Sequence, residues 1–233
     1  HIFTGSCGML LKWDAENGRV LERIPLSATA ISVSEDGRAL LVGSSDRTAA
    51  VLDAETGQKV RSLKGHDDWI MAVAFSPDGQ RAVTGSWDET ARVWDCASGR
   101  ELLRIKGRYG QIDAIVFAPD GRRIAIGSWD STARIWDSRS GAELVSLAGH
   151  GMDVGALAFS ADGRRIITGS GDGTARIWNA VTGEQELCLS GHSMDVNSVA
   201  FSPDGTRCLT GSWDATARVW DAATGEELFR LSG

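Results

Sequence analysis

Serine, histidine and aspartate recur together three times along the 233-residue chain. The sets are His66, Ser86 and Asp88; His150, Ser170 and Asp172; and His192, Ser212 and Asp214. These residue types make up hydrolase triads, in which histidine activates the serine nucleophile and the carboxylate orients the histidine. However, none of the serines lies in a GxSxG nucleophile elbow, and a triplicated constellation does not single out one active centre. The pattern favours a structural role, and we expect no catalytic residue.

Metal binding by these histidines is also disfavoured, because they recur in register with a 42-residue repeat and would lie in separate copies of it. The four cysteines are Cys7, Cys96, Cys188 and Cys208, and they show no CxxC or Cys/His metal spacing. We interpret them as free thiols of a cytoplasmic protein, with a disulfide between Cys188 and Cys208 as the alternative. We expect neither a metal nor a cofactor.

The repeat organises the whole chain. Four dipeptides follow one another at intervals of 42 residues: Trp94-Asp95, Trp136-Asp137, Trp178-Asn179 and Trp220-Asp221. Leu52-Asp53 keeps this interval, and Trp13-Asp14 comes 39 residues earlier. We therefore divide the chain into six units: 1–27, 28–65, 66–107, 108–149, 150–191 and 192–233.

Each unit has the pattern of four short strands. In unit 150–191 these are residues 154–159 (VGALAF), 165–170 (RIITGS), 174–179 (TARIWN) and 186–190. Turn sequences such as SADG separate them, and no stretch has a helical period. Every unit is therefore expected to form a small antiparallel meander.

The chain resembles the WD40-repeat β-propellers in its Gly-His pairs, its repeat length, its GSxDxTxRxWD motif and its closing turn. The resemblance implies an all-β propeller in which the units stack radially as blades. The first unit begins at a second strand and lacks the innermost one. Either flanking residues complete a seven-bladed ring, which we favour, or six blades close imperfectly. We treat residues 1–233 as a single propeller domain or segment.

The resemblance also assigns the third-strand tryptophan to a buried position between blades. Its indole N–H is expected to bond a serine hydroxyl, then a histidine, then an aspartate. Trp94, Trp178 and Trp220 complete the three sets given above. A fourth set contains Ser128, Asp130 and Trp136, with Arg108 where histidine is expected, so that a guanidinium or water would complete it. Leu52 replaces tryptophan in the second unit.

Three other tryptophans precede the network aspartate, in a position that also accepts Gly171 and Ser45 and is therefore not a packing position. The resemblance places this position at the broad end of the propeller. The position three residues after the histidine and the position five residues after it are placed at the same end. The expected partner-binding residues are Trp69, Met71, Trp87, Gln111, Asp113, Trp129, Asp153, Asp195, Asn197 and Trp213. Exposed tryptophans are frequent binding hot spots. The alternative is that they cover the edge of a neighbouring blade.

The charge balance bears on function. Thirty-one acidic against 24 basic side chains give a net charge of -7, which disfavours nucleic acid as a partner. No run of 18 apolar residues is present, so we expect no membrane span. We favour a non-catalytic scaffold that binds a protein or peptide, with a basic segment as the favoured ligand. The alternatives are a sensor or regulatory propeller that acts on other domains of a larger signalling or defence protein and, remotely, an enzyme.

Overall fold

The computed structural model describes residues 1–6, 8–106 and 110–232, with the side chain of Ser6 left aside. All the regular secondary structure in these ranges is β-strand, and the strands form six antiparallel sheets. The chain divides into two compact units, each larger than one repeat, which we call unit 1 (His1–Gly107) and unit 2 (Arg108–Gly233).

Unit 1 contains sheets 1 to 3. Sheet 1 has three strands, β1 (Ile2–Ser6), β2 (Met9–Trp13) and β3 (Val20–Ile24). Sheet 2 has four, β4 (Ala30–Val33), β5 (Ala39–Gly43), β6 (Thr48–Asp53) and β7 (Lys59–Lys64). Sheet 3 has β8 (Ile70–Phe75), β9 (Arg81–Ser86), β10 (Thr90–Asp95) and β11 (Glu101–Lys106).

Unit 2 contains sheets 4 to 6, each with four strands. Sheet 4 has β12 (Ile112–Phe117), β13 (Arg123–Ser128), β14 (Thr132–Asp137) and β15 (Glu143–Ala148). Sheet 5 has β16 (Val154–Phe159), β17 (Arg165–Ser170), β18 (Thr174–Asn179) and β19 (Gln185–Ser190). Sheet 6 has β20 (Val196–Phe201), β21 (Arg207–Ser212), β22 (Thr216–Asp221) and β23 (Glu227–Ser232).

Each sheet is a meander in sequence order, because short turns join its successive antiparallel strands. In the turn after β8, the Ser76 hydroxyl donates to Asp78 Oδ1, and Gly79 takes a φ of 67° that suits glycine. The same turn follows β16, where Ser160 donates to Asp162 Oδ1. These are the turns that the Pro-Asp-Gly and Ala-Asp-Gly sequences indicate.

The core of unit 1 lies between consecutive sheets. Leu41 and Leu63 of sheet 2 pack with Ile70 and Trp94 of sheet 3, and Trp94 is only 2% exposed. A second cluster joins Leu10 of sheet 1 to sheet 2.

Unit 2 repeats this packing twice. Ile135 and Leu147 of sheet 4 pack with Trp178 of sheet 5, and Ile177 of sheet 5 packs with Trp220 of sheet 6. The third-strand tryptophan of one sheet is thus buried against the preceding sheet. Burial of a large indole supplies apolar area that a lone meander could not bury.

The all-β fold and the three-stranded first sheet agree with the prediction from the sequence. That all six sheets form a single ring stays a prediction. Cys96, Cys188 and Cys208 are free thiols, so Cys188 and Cys208 are not joined, and Cys7 lies outside the described residues. Within the described ranges, the chain has no helix of the length and apolarity needed to cross a membrane.

Candidate functional site

A hydrogen-bonded chain of four side chains crosses sheet 3. The Trp94 indole Nε1 donates to Thr84 Oγ1 at 2.9 Å, and Thr84 Oγ1 lies 2.7 Å from His66 Nε2. His66 Nδ1 lies 2.8 Å from Asp88 Oδ2. The corresponding chains are Trp178–Thr168–His150–Asp172 in sheet 5 and Trp220–Thr210–His192–Asp214 in sheet 6.

The hydroxyl in this chain belongs to a threonine, and the expectation that Ser86 would supply it is wrong. Trp94 pairs with Ala82 across the ladder, which makes Thr84 the diagonal neighbour that an indole can reach. Ser86 lies two residues, roughly 7 Å, further along the strand. Its hydroxyl instead donates to the Asp68 carbonyl. In the same way, the hydroxyls of Ser170 and Ser212 donate to the carbonyls of Met152 and Met194.

The direction of donation in sheet 5 follows from its charges. Burial alone would raise the pKa of Asp172, but hydrogen bonds from Thr174, the Gly151 N–H and His150 hold it well below its usual value. An ionised carboxylate only accepts, so His150 Nδ1 donates to it. Burial outweighs the attraction of Asp172 and lowers the pKa of His150, which favours the neutral imidazole. Its Nε2 then accepts from Thr168, whose oxygen accepts the Trp178 N–H.

Every group of this chain therefore has a partner, and Thr168 is 0% exposed. A hydroxyl with no access to solvent cannot attack a substrate, so the geometry supports scaffolding in place of hydrolysis. Buried, fully connected polar networks fix one arrangement of the elements that they join.

Sheets 2 and 4 depart from this arrangement. In sheet 2 the tryptophan and threonine positions hold Leu52 and Val42, both buried, so an apolar pair replaces the polar one. In sheet 4 Ile126 takes the threonine position opposite Arg134, next to Trp136. The predicted role of Arg108 there lies outside the described residues.

The sheet 4 carboxylate is bonded differently. Asp130 accepts from the Ser128 hydroxyl at 2.8 Å and from the Arg134 guanidinium at 2.8 Å. Arg134 comes from the strand that follows the hairpin, so a guanidinium does hold this turn, from a residue other than the expected one.

The candidate binding residues occupy three slots at one end of each of sheets 3 to 6. The hairpin slot precedes the network aspartate, and its backbone N–H donates to the carbonyl of the loop slot, which lies three residues after the histidine position. These pairs are Trp87 with Trp69, Trp129 with Gln111, Gly171 with Asp153 and Trp213 with Asp195, at 3.0 to 3.1 Å. This hydrogen bond holds the hairpin slot and the loop slot side by side in each of sheets 3 to 6.

The third slot lies on a β-bulge. In sheet 3, Ile70 pairs with Ser86 and Ala72 with Gly85, so Met71 is an extra residue in the first strand. The extra residues of sheets 4, 5 and 6 are Asp113, Gly155 and Asn197. A bulged residue leaves the ladder and re-aims its side chain, and bulges are common beside functional sites.

Unit 1 brings the two tryptophans of the sheet 3 slots together. The rings of Trp69 and Trp87 stack 5.1 Å apart with an angle of 12° between their planes. Trp69 is 44% exposed, and Trp87 and Met71 are half-buried. This pair forms a flat apolar surface open to solvent on part of its area.

Unit 2 brings its slot residues around an open cavity of about 540 Å³. Trp129 and Trp213 line it and are 53% and 65% exposed. The predicted residues Asp113, Asp153, Asp195 and Asn197 line it as well, whereas Gln111 is not among its lining residues. The single continuous surface expected from the sequence stays a prediction.

Negative charge is concentrated at this cavity. Burial raises the pKa of Asp153, and repulsion from Asp195, Asp113 and Asp172 raises it further. The Trp129 indole donates to the Asp113 carboxylate, which sets the orientation of its ring. In the part of the chain that is described, no group of three or more His, Cys, Asp and Glu side chains is arranged to hold a metal ion.

Comparison with known families agrees with this geometry. The model of the WD domain, G-beta repeat, matches residues 57–95, 99–137, 141–179 and 183–221. The chain belongs to the WD40-repeat family. No curated protein matches it. WD40 domains are generally non-catalytic scaffolds that mediate protein–protein interactions.

Each matched WD40 repeat straddles two sheets. The segment 57–95, for example, contains β7 of sheet 2 followed by β8, β9 and β10 of sheet 3. Within unit 2, the segments 141–179 and 183–221 join sheet 4 to sheet 5 and sheet 5 to sheet 6 in the same way.

Sequence reasoning missed several residues that line the cavity. Ser131, Met152 and Val196 line it beside the predicted ones, as do Gly155 and Gly171, whose positions were recognised as slots but not counted as binding. Met152 is 53% exposed and has a counterpart, Met194, at the same repeat position. An apolar residue repeated beside a polar loop is the signal that could have found it.

Proposed function

We propose that this WD40 chain is a non-catalytic interaction module whose slot residues bind a protein or peptide segment rich in basic residues. The observation that carries the proposal is the cavity of unit 2, where exposed tryptophans and the carboxylates of Asp113, Asp153 and Asp195 converge. Monomeric surfaces rarely expose such aromatic groups together unless they bind a partner.

The rigidity of the slots supports this function. The hairpin and loop slots are joined by a backbone hydrogen bond, and the network aspartate of the same hairpin is tied to the buried chain. Side chains held at fixed strand ends lose little conformational entropy on binding. The excess of carboxylates would speed the approach of a cationic partner. We further propose that neither nucleic acid nor a membrane is a partner and that the protein acts in the cytoplasm.

The experiment measures the binding of fluorescein-labelled basic, neutral and acidic peptides of equal length by fluorescence anisotropy. We expect basic peptides to bind most tightly and the double variant Trp129→Ala/Trp213→Ala to weaken them at least about tenfold, because each exposed indole is a candidate hot spot. Binding should also weaken as salt is raised.

Val181→Ala is the matched control. Val181 is 69% exposed, close to the 65% of Trp213, and follows β18 at the end of sheet 5 opposite to the slots. We expect it to leave peptide binding unchanged. Equal binding of basic and acidic peptides, or equal losses in the control and the tryptophan variants, would refute the proposal.

A further inference from the structure

Sheet 5 contributes two glycines to the lining of the cavity of unit 2. Its hairpin slot is Gly171, where sheets 4 and 6 have Trp129 and Trp213. A Cβ placed on Gly171 would lie 2.7 Å from Asp153 Oδ1, so the carboxylate fills the space in which a side chain would begin. At the bulge slot, a Cβ on Gly155 would meet no atom within 4 Å. Neither glycine has a positive φ, so the backbone itself does not require them.

Two carboxylates that line the cavity are those of Asp153 and Asp195. Among the residues that the structure describes, neither Asp153 nor Asp195 forms an ion pair, whereas Asp120 and Asp130 of the same unit both do. The raised pKa of Asp153 has burial and the neighbouring carboxylates as its causes. A cation placed beside Asp153 would offset the repulsion between the carboxylates and would stabilise the ionised form of Asp153 against the cost of its burial.

The walls of the cavity favour one type of cation. Trp129 and Trp213 offer indole surface, and indole is the aromatic group that attracts cations most strongly. The guanidinium of arginine stacks on aromatic faces, gives up its hydration more easily than an ammonium group, and bonds carboxylates through two parallel N–H groups. The volume of about 540 Å³ lies within the range of small-ligand pockets.

We propose that this cavity takes a single arginine side chain of the partner, with its guanidinium against Trp129 or Trp213 and its N–H groups donated to Asp153 and Asp195. The inference rests on the proposed function and deepens it, because it names the residue that the partner inserts. Gly171 is then the position that determines specificity, since a side chain there would crowd the Asp153 carboxylate.

The test uses the ¹⁵N-labelled chain and the peptide acetyl-Gly-Gly-Arg-Gly-Gly-amide as the probe. The chain has nine tryptophans, and each indole N–H gives one NMR signal that a Trp→Phe variant assigns. We expect saturable shifts of the Trp129 and Trp213 signals. The citrulline peptide, which is neutral and nearly isosteric, should bind at least about tenfold more weakly, and the lysine peptide about threefold or more.

The plug variant Gly171→Trp should abolish these shifts. Its fold is checked in the same spectrum by the buried indoles of Trp178 and Trp220, whose signals should not move. If they do move, Asp153→Asn and Asp195→Asn replace it as the deciding variants. Each substitution removes one negative charge without changing the shape of the side chain, and each should weaken binding of the arginine peptide about tenfold.

Equal binding of the arginine and citrulline peptides, no shift at Trp129 and Trp213, or full binding to Gly171→Trp would overturn the arginine pocket. The proposed function would survive if longer basic peptides still bound and lost affinity in Trp129→Ala/Trp213→Ala. It would fall as well if no basic peptide bound, so the two failures are distinguishable.

Discussion

Replacement of Thr168 by valine removes the central oxygen of the buried chain in sheet 5 while keeping the shape of the side chain. The Trp178 indole N–H loses its acceptor at 2.9 Å, and His150 Nε2 loses its donor at 2.7 Å. Each buried polar group left without a partner costs about 1–3 kcal/mol. We therefore expect Thr168→Val to lower the free energy of unfolding by about 2–6 kcal/mol.

The matched control is Thr168→Ser, which keeps the hydroxyl and loses one buried methyl group. That loss should cost about 1 kcal/mol. Thermal unfolding followed by far-UV circular dichroism measures both variants. At about 2–4 °C per kcal/mol, the valine variant should melt roughly 4–24 °C below wild type and below the serine variant.

A double-mutant cycle with Trp178→Phe separates the hydrogen bond from packing. Phenylalanine has no N–H to leave unpaired, so the valine substitution should cost about 1–2 kcal/mol less in that background. Sheet 2 provides the natural precedent, because there a buried Val42 accompanies Leu52 in place of the indole. The reasoning is refuted if Thr168→Val is as stable as Thr168→Ser, or if the two substitutions add without coupling.

Three further predictions concern other parts of the scaffold. Ala215 has a φ of 62°, which disfavours any side chain, so Ala215→Gly should raise the free energy of unfolding by about 0.5–1 kcal/mol in urea titration. The pKa values of His150 and Asp172 are both lowered in the folded protein, so the stability that they contribute is full above pH 7 and is lost as pH falls. The melting temperature should therefore begin to fall near pH 6.5 and fall faster below pH 4, and a flat profile from pH 7 to pH 3 would contradict this. Trp94→Ala should cost about 3–5 kcal/mol, whereas the half-buried Trp87→Ala should cost under about 1 kcal/mol in the same measurement.

The strands of sheet 5 could be predicted from the sequence. Three of its four strands begin and end at the predicted residues, and the fourth begins one residue earlier. A repeat fixes the same pattern several times, so turns and strands that are ambiguous in one copy are settled by the others.

The hydroxyl of the buried chain could not be assigned in this way. Thr84 and Ser86 lie on the same face of one strand, and both recur in every complete set. Only the cross-strand register, with Trp94 opposite Ala82, decides which of them an indole reaches. Repetition shows that a residue matters, but it does not give the distance to its partner.

The tryptophans and carboxylates of the candidate site could be predicted from the sequence, but the cavity that they line could not. The tryptophans and carboxylates of the slots are visible in the sequence because they are present. The cavity is also lined by two glycines, Gly155 and Gly171, and a glycine in a turn ordinarily indicates backbone conformation. In this case neither glycine has a positive φ, so the backbone does not require them.

Two glycines two residues apart in sheet 5 separate these explanations. A Cβ on Gly169 would lie 2.7 Å from the Val196 backbone oxygen, which cannot move without displacing sheet 6. Gly169→Ala should therefore cost about 1–3 kcal/mol as overpacking. A Cβ on Gly171 would lie 2.7 Å from Asp153 Oδ1, the end of a side chain that can turn away, and 3.4 Å from Met152 Cβ, which is an ordinary van der Waals contact.

Gly171→Trp should accordingly leave the melting temperature within about 2 °C of wild type, although tryptophan is the largest side chain that can be introduced. The hairpins of sheets 3, 4 and 6 already carry tryptophan at this slot, so the turn accepts it. If Gly171→Trp instead destabilises the protein as much as Gly169→Ala does, the glycine is required by the fold. The slots could then not vary independently of the scaffold, and the cavity would lose its standing as a binding feature.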